Sequence, residues 1–440
     1  MRVLWICNIM LPVIARDLGQ PCSNKEGWLT GLMDALLWRG ETESGTGAPE
    51  VELGVAFPIA PREKLLKGDT GRVRYYGFRE NTGRPEIYDP GLEQDMRVIL
   101  GDFQPDVLHC FGTEYPHTLA ALRAYNRPQR SLVGIQGLCA VYADAYMANL
   151  PGRLRKMSTF RDLVKRDNLQ RQQHKFRLRG KWEQEAVRLT GHVAGRTDWD
   201  RHWTGKWNPR VKYHVLQETM RPCFYEGEWK YAECRRHSIF MSQGDYPIKG
   251  LHYMLDALGD IKRRYPDVHL HVAGNCLLRH GPTAPLRISA YGKYLETQIR
   301  EHGLDGHVTF LGSQDAAQMR EQYLRCNAYV CVSSIENSPN SLAEAMLMGT
   351  PVVAGLSGGV ESMISPGEGW LFQGFSGDEA GEMQRISREL GEQVTEVFAL
   401  GEQVTERTRK AREHARHTHD GERNLKQLLE LYQALHEEQV

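Results

Sequence analysis

Short apolar runs rich in valine, isoleucine and leucine recur along this chain, each followed by a segment of helical period, and the series restarts half-way. In the first half "RVLWICN", "VELGVAF", "DVLHCFG", "RSLVGIQG" and "GHVAGRT" alternate with helical segments such as "GWLTGLMDALLW", "GLEQDMRVILGDFQ" and "YPHTLAALRAYN". In the second, "HSIFMSQ", "VHLHVAG", "HVTFLG" and "AYVCVSS" alternate with "GLHYMLDALGDIKRRY", "YLETQIREHG" and "AQMREQYLRC". Runs that are apolar throughout belong to strands buried on both faces, with helices above and below a parallel sheet. Strand–helix–strand crossovers are right-handed, and open α/β sheets bind ligands at the carboxyl ends of their strands. The expected fold class is α/β: two doubly wound, Rossmann-like domains facing each other across a cleft.

The amino-terminal domain is expected over residues 1–222 and the carboxyl-terminal one over 223–415. The join falls in "QETMRPCFYEGEWKYAECRR", which has no clean period. Residues 416–440 end in "NLKQLLELYQALHEE", whose apolar stripe is expected to dock back on the amino-terminal domain.

Composition narrows the class. The 440 residues are 41% hydrophobic and 25% charged, with 55 basic and 55 acidic side chains, ordinary for a globular protein. Nothing in that balance calls for nucleic acid. The nine cysteines are scattered, with no C-x-x-C pair, and read as free thiols of a reducing compartment. Asn8 and Pro12 interrupt the apolar start, so it reads as a strand rather than a signal peptide. No apolar run approaches the ~20 residues that span a bilayer. A cytoplasmic location is expected.

The most informative stretch is "SSIENSPNSLAEAMLMGTPVVAG", Ser333 to Gly355. "ENSPN" ends a strand with turn chemistry, "SLAEAMLM" starts a helix, and Gly349 and Pro351 lead into the next strand. Glu336 therefore lies off the carboxyl end of a strand. Asn340 and Ser341 lie at a helix amino terminus, where the free N–H groups favour phosphate. "SLAE" equally fits a capping box closed by Ser341 and Glu344, and Glu336 by itself reads equally as a solvated loop residue.

Together with "PIKGLHYMLDAL", "VHLHVAG", "HVTFLGSQ" and "GWLF", this stretch resembles the group 1 (family four) retaining glycosyltransferases, which have the GT-B fold. The first half matches less closely, through "RVLWICN", "DVLHCFG" and "GHVAGRTDWD", in the manner of bacterial polysaccharide-assembling members. The resemblance implies that Glu336 lies near the transferred sugar and that Glu344 accepts hydrogen bonds from the ribose, since a carboxylate offers two acceptors to a diol. It implies that the backbone at Asn340 and Ser341 holds the diphosphate, and that Lys249 meets it, countering charge on the leaving group. Gly312, ending "VTFLG", is implied to approach the base. Gly27 is what remains of a Gly-Gly pair near the phosphates.

The departures from the family are specific. Gln243 and Gly244 stand where it carries a phosphate-binding arginine, and Gln136 where it often carries a site histidine. Glutamine can hydrogen-bond a hydroxyl but cannot titrate as histidine does. The activity implied is transfer of a sugar, with retention and without metal or other cofactor, from a nucleoside diphosphate sugar to a glycan or lipid-linked acceptor. The setting implied is exopolysaccharide, capsule or cell-surface glycan assembly. The substitutions keep open a non-catalytic nucleotide-sugar-binding or assembly protein on the same fold. A dehydrogenase is disfavoured, because no G-x-G-x-x-G joins a strand to a helix.

Two rival signals are bland on inspection. Asp198 and Asp200 in "TDWD" form a D-x-D pair that also suits a helix start. His414, His417 and His419 in "HARHTH" sit in a polar helical tail and read as solvated. The segment from Arg153 to Lys181 carries eleven basic and two acidic residues with interleaved apolar ones. It reads either as an exposed helix pair or as a peripheral contact with the inner face of an anionic membrane bearing the acceptor.

Overall fold

The computed structural model describes residues 1–21, 27–42, 51–279 and 281–438. The chain divides into two compact units. The first comprises Met1–Val141, Phe176–Arg221 and His419–Val440; the second comprises Tyr142–Lys175 and Pro222–Thr418.

The first unit is built on an eight-stranded sheet of β1 (Arg2–Ile6), β2 (Glu52–Ile59), β3 (Leu66–Asp69), β4 (Arg74–Arg79), β5 (Val107–Phe111), β6 (Ser131–Gly134), β7 (His192–Gly195) and β8 (Lys212–Val215). The spatial order is β3-β4-β2-β1-β5-β6-β7-β8, parallel except for the β3–β4 pair. Alternate residues of β1 feed the two faces. Val3 and Trp5 pack in one core and Leu4 and Ile6 in the other, which is why "RVLWICN" is apolar without a period. Helix Gly421–Glu437 closes the first of these cores through Leu425, Leu428 and Tyr432. The Tyr432 hydroxyl accepts a 2.8 Å bond from Trp5 Nε1 and lies 2.7 Å from His109 Nδ1.

The second unit holds β9 (Ser238–Met241), β10 (His269–Ala273), β11 (Val308–Gly312), β12 (Ala328–Cys331), β13 (Val352–Leu356) and β14 (Trp370–Gln373), in the order β11-β10-β9-β12-β13-β14. All its strand pairs are parallel. Strand order reverses between β9 and β12 here and between β1 and β5 in the first unit. These are the switch points at which such sheets leave a ligand crevice.

Both edge strands of the first sheet, β3 and β8, lie outside the sequence reading. β3 alternates half-buried and exposed residues, and β8 has none buried. Edge strands carry polar side chains and leave no apolar run to detect. A larger difference concerns residues 142–175, which the sequence places with the first half and which pack with the second unit. Both terminal nitrogens of Arg155 bond Asp378 at 2.7 Å, Thr159 Oγ1 donates to the Ile288 carbonyl at 2.7 Å, and Asp162 caps Ala290 N at 2.9 Å. Part of the basic segment is thus spent on internal pairing.

Candidate active site

At the switch point of the second sheet, the loops after β9 and β12 converge. The loop after β9 runs into a turn of 3-10 helix, Pro247–Lys249, which ends at Gly250 with φ +74°. A Cβ on Gly250 would stand 2.2 Å from the Val332 carbonyl oxygen, so only glycine lets this turn lie against the end of β12. The Ser334 N–H donates to the Ile248 carbonyl at 2.7 Å and locks the two loops together. Lys249 is thereby delivered to Glu336. Its Nζ lies 2.5 Å from Glu336 Oε1, which also accepts a 2.8 Å bond from Ser333 Oγ.

Glu336 is fixed from its other side too. Its carbonyl accepts a bond from Gly359 N at 2.8 Å, and a Cβ on Gly358 would meet that oxygen at 2.1 Å. The next N–H, of Asn337, donates to the Tyr142 hydroxyl oxygen at 3.0 Å. Burial works against the Lys249 charge, but the Glu336 carboxylate beside it and Tyr246 hold the ammonium well above its ordinary pKa. Burial, then the Glu336 charge, pushes the Tyr142 phenol up. The site therefore carries a protonated lysine and neutral tyrosines.

Helix Asn340–Met348 starts beside this pair, with Pro339 as its cap residue and no side-chain cap. The capping box is not formed. Ser341 Oγ instead accepts a 2.8 Å bond from the Tyr329 hydroxyl, and Glu344 Oε2 accepts one from Tyr323 at 3.1 Å. Ser341, Lys249, Glu336 and Gln243 line one small cavity of about 10 Å³ between β9 and β12, the size of a single water. Asn340 is the first residue of the helix, and Glu344, only 5% exposed, lies behind the cavity rather than on its wall.

The remaining sequence candidates fall elsewhere. Gly244 is packed tight, since a Cβ there would lie 2.8 Å from Leu251 Cδ2. Gly312 ends β11 with φ +73° and accepts from Gly274 N at 2.9 Å. Gln243 Nε2 donates to Asp245 Oδ1 at 2.9 Å, so a carboxylate occupies the loop where the resemblance places an arginine. Gly27 and Gln136 belong to the first unit. Gly27 opens helix Gly27–Thr42, and a Cβ there would meet Arg221 Cδ at 2.4 Å. Gln136 Nε2 donates to Glu218 Oε1 at 2.9 Å within a buried Arg196–Glu218 ion pair.

Asp198 and Asp200 diverge. The Asp198 side chain is 90% exposed, whereas Asp200 is buried, accepting from Arg196 N at 3.0 Å. Thr197 caps that helix. Against expectation, His419 is buried, bonded to the Glu218 carbonyl at 2.7 Å, and His414 pairs with Glu368 at 2.8 Å. Among the described residues no group of three or more His, Cys, Asp or Glu is placed to hold a metal.

Tyr142, Ser333 and Tyr246 are absent from the sequence candidates. Ser333 has a local signal, three residues before Glu336 on the same loop. Tyr142 has none, because its partner Asn337 stands 195 residues away.

Residues 233–393, which hold every residue of this site except Tyr142, match the family model described as glycosyl transferases group 1. The second unit carries a group 1 glycosyltransferase domain. Within this glycosyltransferase domain lie Lys249, Glu336, Ser341 and Glu344. A phosphatidyl-myo-inositol mannosyltransferase of Mycobacterium tuberculosis is 33% identical over 117 residues, 26% of this chain and 27% of that protein. The Mycobacterium leprae protein of the same name is 32% identical over 126 residues, 28% and 29% of the two chains. The chain thus matches little more than a quarter of these relatives.

The fold likeness extends further. A sucrose-phosphate synthase of Thermosynechococcus elongatus superposes with TM-score 0.64 over 98% of both chains at 14% identity. Anabaena HepE in complex with UDP-glucose gives 0.61 over 98% of this chain and 99% of that one, at 16% identity. WaaG, a glycosyltransferase involved in lipopolysaccharide biosynthesis, gives 0.56 over 98% and 99% at 13%. The fold around the glycosyltransferase domain is that of the GT-B enzymes.

Proposed function

We propose that this chain is a glycosyltransferase of family four that moves a sugar from a nucleoside diphosphate sugar to a glycan or lipid-linked acceptor, with retention and without a metal. The observation that carries the reading is the meeting of Lys249, Glu336 and Ser341 at the switch point of the domain-bearing sheet. A lysine ammonium beside a helix amino terminus is a place for a diphosphate, and fixed positive charge there stabilises the departing nucleoside diphosphate. Glu336, buried with an acceptor oxygen already on Lys249, is suited to the sugar hydroxyls. Retention comes from the family resemblance. Metal independence fits a lysine supplying the charge a cation would otherwise bring.

Uridine is the base to try first, because the HepE neighbour holds UDP-glucose. Mannose is a second sugar to try, after the name of the mycobacterial relatives. A lipid-linked acceptor is supported by helix Phe160–Lys165, where Phe160, Leu163 and Val164 are 58%, 61% and 67% exposed among basic residues. On this reading the enzyme works at the inner face of a membrane in glycan assembly.

The test is a thermal-shift screen of nucleoside diphosphate sugars, followed by an assay of nucleoside diphosphate release with glycan and lipid-linked acceptors. A true donor at a hundred times its dissociation constant should add about 2.7 kcal/mol. No stabilisation by any donor or nucleoside diphosphate would overturn the reading. Stabilisation without turnover would favour the non-catalytic alternative, for which Gln136 and the arginine-free loop at Gln243 speak.

A further inference from the structure

The ion pair at the switch point of the second sheet has one fixed partner and one that can move. Glu336 is the fixed one. Its carbonyl accepts from Gly359 N at 2.8 Å, and the next N–H, of Asn337, donates to the Tyr142 hydroxyl oxygen at 3.0 Å. Ser333 Oγ holds its Oε1 at 2.8 Å. Lys249 Nζ reaches that same oxygen, at 2.5 Å, from the end of a flexible four-carbon stem. Both bonds to the carboxylate thus fall on Oε1. Oε2 makes none among the described residues, and the side chain keeps 10% of its surface exposed.

The pair also fills its own site. The cavity lined by Lys249, Glu336, Gln243 and Ser341 holds about 10 Å³, room for one water and not for a diphosphate. Lys249 is the one cation on that wall among the described residues, because Gln243 beside it is neutral and bonded to Asp245 Oδ1 at 2.9 Å. A diphosphate that enters must therefore draw the ammonium off Glu336.

The cost of that exchange depends on the ligand. A buried carboxylate that loses its counter-charge is costly unless another donor replaces it. An intact nucleoside diphosphate sugar brings that donor, since its sugar hydroxyls can bond the carboxylate as Lys249 turns to the phosphates. A nucleoside diphosphate without its sugar draws the lysine away and leaves Glu336 nothing in return.

We infer that the Lys249–Glu336 ion pair sets donor against product: it opens at little cost for the intact nucleoside diphosphate sugar and re-forms to expel the nucleoside diphosphate left after transfer. This exchange rests on the transferase reading, and adds to it a competition between the ligand's phosphates and the protein's own carboxylate for one ammonium.

The test is calorimetric titration of the whole chain, without acceptor, with two matched pairs: UDP-glucose with UDP, and GDP-mannose with GDP. Parent, Glu336→Gln and Glu336→Asp are compared. In Glu336→Gln the lysine has no carboxylate to return to. The nucleoside diphosphate should then bind about tenfold or more tightly than it binds the parent, the worth of one charge-assisted hydrogen bond. The same change weakens the bond to the sugar, so the ratio of donor to nucleoside diphosphate affinity should fall about tenfold or more. Glu336→Asp keeps the charge, and with it the fold, but shortens the reach to Lys249. It should move both values the same way to a smaller extent, and it decides the matter if the glutamine variant does not fold. A plain loss of negative charge would tighten both ligands alike and leave their ratio at the parent value. That unchanged ratio would overturn the inference and leave the transferase reading standing. So would a nucleoside diphosphate that binds both variants no more tightly than the parent. Failure of both pairs to bind the parent would overturn the transferase reading and the exchange with it.

Discussion

Lys249 and Glu336 stand 87 residues apart in the chain and meet at 2.5 Å, with 18% and 10% of their side chains exposed. Removing one member of so buried a pair leaves the other uncompensated. Lys249→Ala should cost about 3–5 kcal/mol of stability, and pairing it with Glu336→Gln should return most of that loss. Turnover should fall about 10²–10³-fold in Lys249→Ala, with free nucleoside binding little changed. Urea unfolding of parent, singles and double, beside turnover assays, checks this. Purely additive losses would mean that the two side chains do not act as a pair.

Glu344 separates two roles through one substitution. Its partner Tyr323 donates a proton, and a glutamine oxygen can accept it. Glu344→Gln should therefore keep stability within about 1 kcal/mol. If the carboxylate also binds the ribose, nucleoside diphosphate affinity should drop about tenfold, the worth of one charged hydrogen bond. Calorimetric titration that finds parent affinity would remove the ribose role.

On the proposed reading chelation should leave transfer intact, with Lys249 and the start of helix Asn340–Met348 supplying the charge a cation would bring. Activity abolished by EDTA and restored by manganese would contradict this.

The exposed apolar residues on helix Phe160–Lys165 should bring the protein to vesicles containing phosphatidylserine and not to neutral ones. Replacing Phe160, Leu163 and Val164 together by serine should lower sedimentation with those vesicles about tenfold or more, given roughly 1.5–3 kcal/mol per large apolar side chain buried. Equal sedimentation of parent and variant would leave the helix without a membrane role.

Glu183 gives the first unit a pH dependence. It is fully buried, accepting from Thr113 Oγ1 and Cys139 N at 2.9 Å and from Ala140 N at 2.8 Å. Burial, opposed by those bonds, raises its carboxyl from 4.5 to about 8. The folded state then holds the proton more tightly than the unfolded chain. Its stabilising contribution is complete below the unfolded value and is lost as pH rises through about 8. The calorimetric midpoint of the first unit should fall from about pH 5 to about pH 9, and Glu183→Gln should flatten that fall. The variant should also start lower, since its amide nitrogen would face an N–H donor. An unchanged slope would rule Glu183 out as the source.

Local chemistry made much of this legible in the sequence. The "AYVCVSSIENSPNSLAEAMLMGTPVV" stretch dictates strand, turn, helix and strand within thirty residues, so Glu336 could be placed at the end of β12 from the residues alone. The polar contacts of that unit were not legible in the same way. Ser341 and Glu344 match a capping box in sequence, but two tyrosines, Tyr329 from β12 and Tyr323 from the helix before it, take their oxygens instead. Tyr142 was invisible for a related reason. It acquires its meaning from a partner fixed only by the tertiary fold, Asn337, and no spacing encodes such a meeting. The β3 and β8 edges were missed because a strand that faces water needs no apolar run.

The membership of the two units has a consequence for how the polypeptide can be cut. The first unit lacks part of its core until Leu425, Leu428 and Tyr432 have been made, and the second draws Tyr142 and Arg155 from a stretch synthesised long before the rest of it. The second unit is therefore complete once Thr418 has been made, while the first still waits for the segment that begins at His419, so folding in which the amino-terminal unit finishes first is closed to this chain. A break at the Arg221–Pro222 junction would yield two incomplete pieces, each carrying exposed apolar surface that its missing segment should cover. The second unit cannot be lifted out as a continuous module, and moving it to another scaffold would have to carry residues 142–175 along with it.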